Sequence, residues 1–384
     1  MLSRRDLLSQ LAVAAVPWVA APQPPRKVPE QIRSFCIDFN WLHQEEAGKP
    51  VIFAPPGHWA DASPEEHVRW YHELGANTIQ TFVVSCNGYA WYKGGFVPPQ
   101  PGLKHDFLRE VADLGHKKGM LVLGYFCVGA NTKWGRDRPG LSYGTPTAPH
   151  IPLTDPYLDY LSRSMEDAIR NTEIDGYMVD WLWSPGDKLQ AGGWIDSERA
   201  LYTQLTGEAF PKSGAPGAAE LLAYRRRAVE RCWSRIKEVR DRARRDCILW
   251  LTVSNLADPV ISASPVLREC DWVLNEAPSP ELYDSGRKMV GPQTRLIQNL
   301  VGWVNHDAKG YLSAARNLKI DLYGFAEPRA SSLPLPIADY LARPIDSFQE
   351  KTRMGVNDRN IAALARFYRG LPLDAVIPRG GAGR

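Results

Sequence analysis

The sequence is short of the usual marks of metal and phosphate chemistry. No Cys-x-x-Cys pair or Cys/His pattern of zinc-site spacing occurs, and there is no P-loop. The eight histidines, His43, His58, His67, His72, His105, His116, His150 and His306, are scattered, and several fall on helix-like segments. No metal and no cofactor are expected. Charge of one sign is lacking too. Lys plus Arg number 46 against 43 Asp plus Glu, a net +3, too little to mark a nucleic-acid or anionic-membrane surface. Arginines gather at Arg225 to Arg227 and from Arg240 to Arg245, but within one helical pattern, which reads as a solvated helix face. No internal repeat, low-complexity tract or interdomain linker is present.

Apolar runs of membrane length are also missing. The one run near the start, Leu11 to Ala21, is too short to span a bilayer. It follows Ser3-Arg4-Arg5-Asp6-Leu7-Leu8 and ends in the small residues Ala20-Ala21, the pattern of a twin-arginine export signal. Residues 1–21 are therefore expected to be a signal, with 22–384 a single domain in the periplasm or outside the cell. Six cysteines in an exported chain raise the question of disulfides. Cys36 and Cys127 lie inside strand-like runs and Cys86 at the end of another, so mostly free, buried thiols are expected.

What is present is a chain 44% apolar and 23% charged, with 13 Trp and 15 Tyr. Short β-branched or aromatic runs alternate with helix-length segments, the pattern of βα units around a parallel sheet. The runs are Phe35 to Asn40, Thr78 to Val84, Met120 to Cys127, Gly176 to Trp181, Ile248 to Ser254, Trp272 to Glu276, Arg295 to Asn299 and Leu322 to Glu327. Ser63-Pro64-Glu65-Glu66 opens a helix that stops near Gly75, and another ends at Gly119. Eight such units predict an α/β fold, one (β/α)8 TIM barrel. The longest excursion, Ser184 to about Gly217, follows the fourth run and is placed to cover the mouth of the barrel.

In such barrels the chemistry gathers at the C-terminal strand ends. Polar residues stand there: Asp38 and Asn40, Ser85 and Asn87, Asp180, Ser254 and Asn255, Asn275 and Glu276, Gln298 and Asn299, and Glu327. Side chains alternate faces along a strand, so Asp180 shares the inward face with Gly176 and Met178. By the same parity Asp38, Glu276 and Glu327 face one mouth. Asp175 precedes its strand and lies roughly 16 Å from Asp180 at ~3.3 Å per residue, which makes it a turn or cap residue.

Converging carboxylates suit glycoside hydrolysis, in which one attacks or stabilises the sugar and a protonated one serves the leaving oxygen. Asp180 fits the nucleophile. Glu276, behind the apolar Trp272-Val273-Leu274, fits the general acid/base, with Glu327 in reserve. Asp38, Trp41, Asn87, Tyr125, Trp181, Trp183, Asn255, Asn299 and Glu327 are the candidate contacts to a carbohydrate substrate, an oligosaccharide or polysaccharide. If no strand supplies the acid, Asp187 and Asp196 are the only acids of the long excursion within reach before Glu198.

The stretches His58-Trp59-Ala60-Asp61, Tyr71 to Asn77, Gly119 to Tyr125, Ile174 to Trp181 and Leu201 to Pro211 together resemble the α-L-fucosidase clan. That is glycoside hydrolase family 29 and its uncharacterised relatives, and the likeness covers about residues 35–260. It implies a retaining mechanism with Asp180, the acid closing the fourth strand, as nucleophile. Two positions depart from the family. Where fucosidases carry His-His-Asp-Gly-Phe after the second strand, this chain reads Val84-Ser85-Cys86-Asn87-Gly88-Tyr89, and the first-strand His is replaced around Asp38. Fucose is thus the weaker implication. Two other readings fit the same residues: a barrel that binds glycan without cleaving it, and an α-galactosidase-like enzyme, whose clan also puts carboxylates on strands 4 and 6.

Overall fold

A computed structural model describes residues 26–42, 53–143, 151–182, 193–276, 283–300, 308–329, 331–348 and 358–378. Eight parallel strands close into a barrel in sequence order. They are β1 (Arg33–Ile37), β2 (Thr78–Val84), β3 (Leu121–Cys127), β4 (Gly176–Asp180), β5 (Ile248–Val253), β6 (Trp272–Asn275), β7 (Arg295–Asn299) and β8 (Asp321–Ala326). All eight expected runs are strands. β1 ends three residues earlier than its run, so Asp38 stands in a turn, its N–H still reaching Ala326 O at 2.8 Å.

The strands are buried almost end to end, as helices on the outside of a parallel sheet require. Helices α1 (Pro64–Leu74), α2 (Phe107–Lys117), α3 (Asp155–Asn171), α4 (Asp196–Thr206), α5 (Ala218–Ala243), α6 (Ala308–Leu318) and α7 (Asp358–Tyr368) supply most of that cover. α1 starts as its sequence dictates. Ser63 caps the Glu66 N–H, Pro64 takes the first turn, and Gly75 ends the helix at φ +89°. An added Cβ at Gly75 would lie 3.1 Å from the Tyr368 carbonyl carbon, so the αL turn and the close approach of α7 both need glycine there.

At the N-terminal end of the barrel, carboxylates just before or at the first residue of a strand tie neighbouring strands together. Asp175 accepts from Val122 N and contacts Arg26 and His116, Asp271 accepts from Leu249 N, and Asp321 accepts from Ile32 N while pairing with Arg295. Asp175 is thus the cap its position implied. The arginine-rich α5 lies on α3 through Arg231–Asp155, Arg235–Asp159 and Arg242–Glu166, pairs at the surface worth ~0–1 kcal/mol each. All six cysteines are buried and free.

Candidate active site

Parity along the strands sends Gln80 and Phe82 of β2, Tyr125 of β3, Met178 and Asp180 of β4, Thr252 of β5, and Tyr323 and Phe325 of β8 into one cavity. Asp38, Trp41, Cys86, Trp181 and Glu276, from the segments that leave the strands, complete the lining. The empty space, open mouth included, is about 430 Å³.

Asp180 closes β4 and is 6% exposed. Both carboxylate oxygens are held: Tyr125 donates its hydroxyl to Oδ2 at 2.5 Å, and the Trp181 N–H donates to Oδ1 at 2.9 Å. Burial raises its pKa to about 6, against the lowering effect of those two donors. Asp38 accepts from Asn40 N at 2.8 Å. Burial, with a smaller contribution from the charge of Asp180, pushes it up to about 7. Glu327 is 2% exposed and is raised further, to about 8, by burial and then by Asp38. Asp38 therefore couples electrostatically to an acid on each side. Three carboxylates so placed do not all ionise at neutral pH.

Glu276 follows β6 directly. Its N–H donates to Val253 O at 2.9 Å, and its carbonyl accepts from Asn299 Nδ2 at 3.3 Å. Its side chain is half-buried and lines the same cavity as Asp180. At the rim, Trp41 packs on Phe53 with ring centroids 4.7 Å apart, and Trp181 lies 6.5 Å from Trp41 and 6.1 Å from Phe53. Trp181 holds a left-handed backbone, φ +52°, uncommon for a bulky side chain and frequent at functional sites. Gly129 makes room for it: a Cβ there would stand 3.0 Å from Trp181 Cβ and 3.1 Å from its carbonyl oxygen.

Asp38, Trp41, Tyr125, Asp180, Trp181 and Glu276 are thus brought together around one space. Four other candidates are not. Asn87 spends its amide on Ala54 O, Gln100 and the Tyr89 N–H, knotting the loop after β2. Asn255 is exposed and starts a turn by accepting from Ala257 N. Asn299 is buried under the backbone of Glu276, and Glu327 is buried beside Asp38 without lining the cavity. Trp183 and Asp187 lie outside the described residues. Asp196 sits in the first turn of α4, and Glu198 is fully buried in a separate cluster, where Tyr143 and Tyr224 donate to it.

Gln80, Thr252 and Tyr323 were missed by the sequence reading. The signal was their polarity on the inward parity of apolar strands. Tyr323 donates to Gln80 Oε1 at 2.7 Å, bridging β8 and β2. The string Gly140-Leu141-Ser142-Tyr143-Gly144 spells the serine-elbow pattern G-x-S-x-G. Ser142, however, follows a 3-10 turn, Pro139–Leu141, rather than a strand, so it lacks the strand–turn–helix setting that exposes such a nucleophile. Among the described residues no group of three or more His, Cys, Asp or Glu is disposed to hold a metal ion.

Residues 63–181 match the family described as hypothetical glycosyl hydrolase 6, a span that ends one residue past Asp180. Among solved structures, α-L-fucosidase isoenzyme 2 from Paenibacillus thiaminolyticus superposes with a TM-score of 0.63 at 14% identity over 88% of this chain. The chain spans 49% of that structure's length. The PgaB (BpsB) glycoside hydrolase domain from Bordetella bronchiseptica gives 0.48 at 13% identity, over 79% of this chain and 94% of its own. The α-L-fucosidase of Lactobacillus casei in complex with α-L-fucose product gives 0.44 at 10% identity, over 88% and 95%. At such identities the likeness is one of fold. No curated protein matches the sequence. The stretch that carries the sequence resemblance to α-L-fucosidase-like glycoside hydrolases overlaps the matched family region, and the closed eight-stranded parallel barrel is similar in fold to the Paenibacillus structure.

Proposed function

We propose that the chain is a retaining glycoside hydrolase in which Asp180 attacks the anomeric carbon and Glu276 protonates the leaving oxygen. The observation that carries this reading is that the two carboxylates line one cavity at the C-terminal mouth of the barrel, Asp180 being held at both oxygens. A nucleophile needs a fixed, charged carboxylate, and the two donors on Asp180 oppose the burial that would keep it protonated. Glu276 is less enclosed, reaches the same space and can exchange its proton with water between the two half-reactions. Trp41 and Trp181, backed by Phe53, present the indole faces on which a sugar ring of an oligosaccharide or polysaccharide would stack.

A second assignment of the acid is favoured by one observation. Glu327 carries its proton up to about pH 8, as a general acid at neutral pH must. Its burial away from the cavity lining places it behind Glu276 in this reading. An α-L-fucoside is the first substrate to try, with α-galactosides next. The Arg4-Arg5 motif directs the chain to the periplasm or beyond. The experiment that tests the function is release of aglycone from a panel of aryl glycosides by the wild-type chain and its Asp180→Asn variant.

A further inference from the structure

We propose that the sugar ring seated against Asp180 carries a free, protonated amino group, and that Asp38 is the carboxylate that pairs with it. This rests on the glycosidase reading for the identity of the ring as a sugar. Double displacement uses two carboxylates, yet the cavity is lined by three, from the ends of β1, β4 and β6. Asp38 is the surplus. It stands at the end of β1, hydrogen-bonded to the N–H of its own turn, and its field reaches Asp180 and Glu327. No lysine, arginine or histidine is among the described residues that line the cavity.

Thr252 gives an independent sign that polar ligand atoms belong here. It is 1% exposed, lies on the inward face of β5 between the strands of Asp180 and Glu276, and its Oγ1 has no hydrogen-bond partner. A buried hydroxyl left unpaired costs free energy, so an orphan at a cavity wall marks where a ligand group supplies the bond. The chemistry of the remaining wall narrows the ligand. Indole rings attract cations, and Trp41 and Trp181 line the same space as the carboxylates. A neutral ring leaves the repulsion among the acids unrelieved. An ammonium offsets it, and the carboxylates beside it then ionise at lower pH. The class that meets carboxylate, hydroxyl and indole together is a hexosamine without its N-acetyl group.

The test reads binding, so it does not depend on turnover. Glucosamine and galactosamine are titrated calorimetrically into the full chain at neutral pH, beside glucose, galactose and the two N-acetyl sugars. At least one amine is expected to bind about tenfold or more tighter than both its neutral parent and its N-acetyl form, a difference of ~1.4 kcal/mol. Asp38→Asn, checked for an intact melt, is expected to bring that ratio to within about twofold. Neutral parents that bind as well as the amines would overturn the proposal. So would an Asp38→Asn variant that keeps the preference, or amines that do not bind at all. The wild-type comparison stands even if the variant fails to fold. Amine preference without hydrolysis of any glycoside upholds this inference and sinks the glycosidase reading; hydrolysis without amine preference does the reverse.

Discussion

The hydroxyl of Tyr125 donates to Asp180 Oδ2 at 2.5 Å across the β3–β4 pair, which joins a phenol to the carboxylate proposed as nucleophile. Tyr125 was expected to touch sugar, and it lines the cavity, but its hydroxyl is directed at Asp180. A donor to the charged form lowers the carboxylate pKa, and a bond to a charged group is worth ~1.5–3 kcal/mol, or roughly one to two pH units. Tyr125→Phe is therefore expected to raise the pKa of Asp180 and move the acid limb of the kcat/KM profile up by about one unit or more. The acids and thiols that also face Asp180, namely Asp38, Cys36, Cys86 and Cys127, are unchanged in this variant. An unmoved acid limb in the pH–rate profile would show that the contact does not tune Asp180.

Stability should fall as pH rises through neutrality. Asp180, Asp38 and Glu327 have folded-state pKa values near 6, 7 and 8, above the ordinary carboxylate range of about 4. Between those limits the folded chain holds protons that the unfolded chain has released. Their contribution is full below about pH 4 and is lost as pH rises through about 6 to 8. The melting temperature is expected to decline from about pH 5 to pH 9, and Asp38→Asn should flatten that decline. A melting temperature that rises over this interval in the wild type, with no change in slope in the variant, would refute the burial of these acids.

The acid catalyst can be told apart chemically. Glu276→Gln is expected to cripple hydrolysis of a natural glycan far more than of an activated aryl glycoside, because proton donation matters most for poor leaving groups. Azide should then restore part of the lost rate and give a glycosyl azide of retained configuration. Should Glu327→Gln show that signature and Glu276→Gln lack it, the proton carried by the buried Glu327 is the catalytic one and the roles are exchanged.

Export is tested by replacing Arg4 and Arg5 together with lysine, since a twin-arginine signal is read as an address. Precursor is expected to accumulate in the cytoplasm. Fractionation that finds the variant outside the cytoplasm at wild-type levels would remove the assignment.

Much of this architecture was legible from residues. The strands were visible because burial on both faces of a parallel sheet leaves short, uninterrupted apolar runs, and period-two parity then placed Asp180, Glu276 and Asp38 in one mouth. Parity says which face a residue takes, not which neighbours it meets. Asn87 and Asn255 stood at strand ends but are spent on Gln100 and Ala257, turn bonds that depend on loop paths. Parity also placed Glu327 in the mouth, whereas it is buried beside the lining. Thr252 looked like an ordinary β-branched strand residue, and only packing reveals that its hydroxyl is unpaired at the cavity wall.

The central claim is that Asp180 performs the covalent step, and the Asp180→Asn variant addresses it with nearly unchanged size. On whichever aryl glycoside the wild-type chain cleaves, turnover of the variant is expected to fall by at least ~10³-fold, about 4 kcal/mol of transition-state stabilisation, with the melting temperature little changed. Near-normal turnover by a folded Asn variant would contradict the account, as would a panel from which the wild-type chain releases no aglycone.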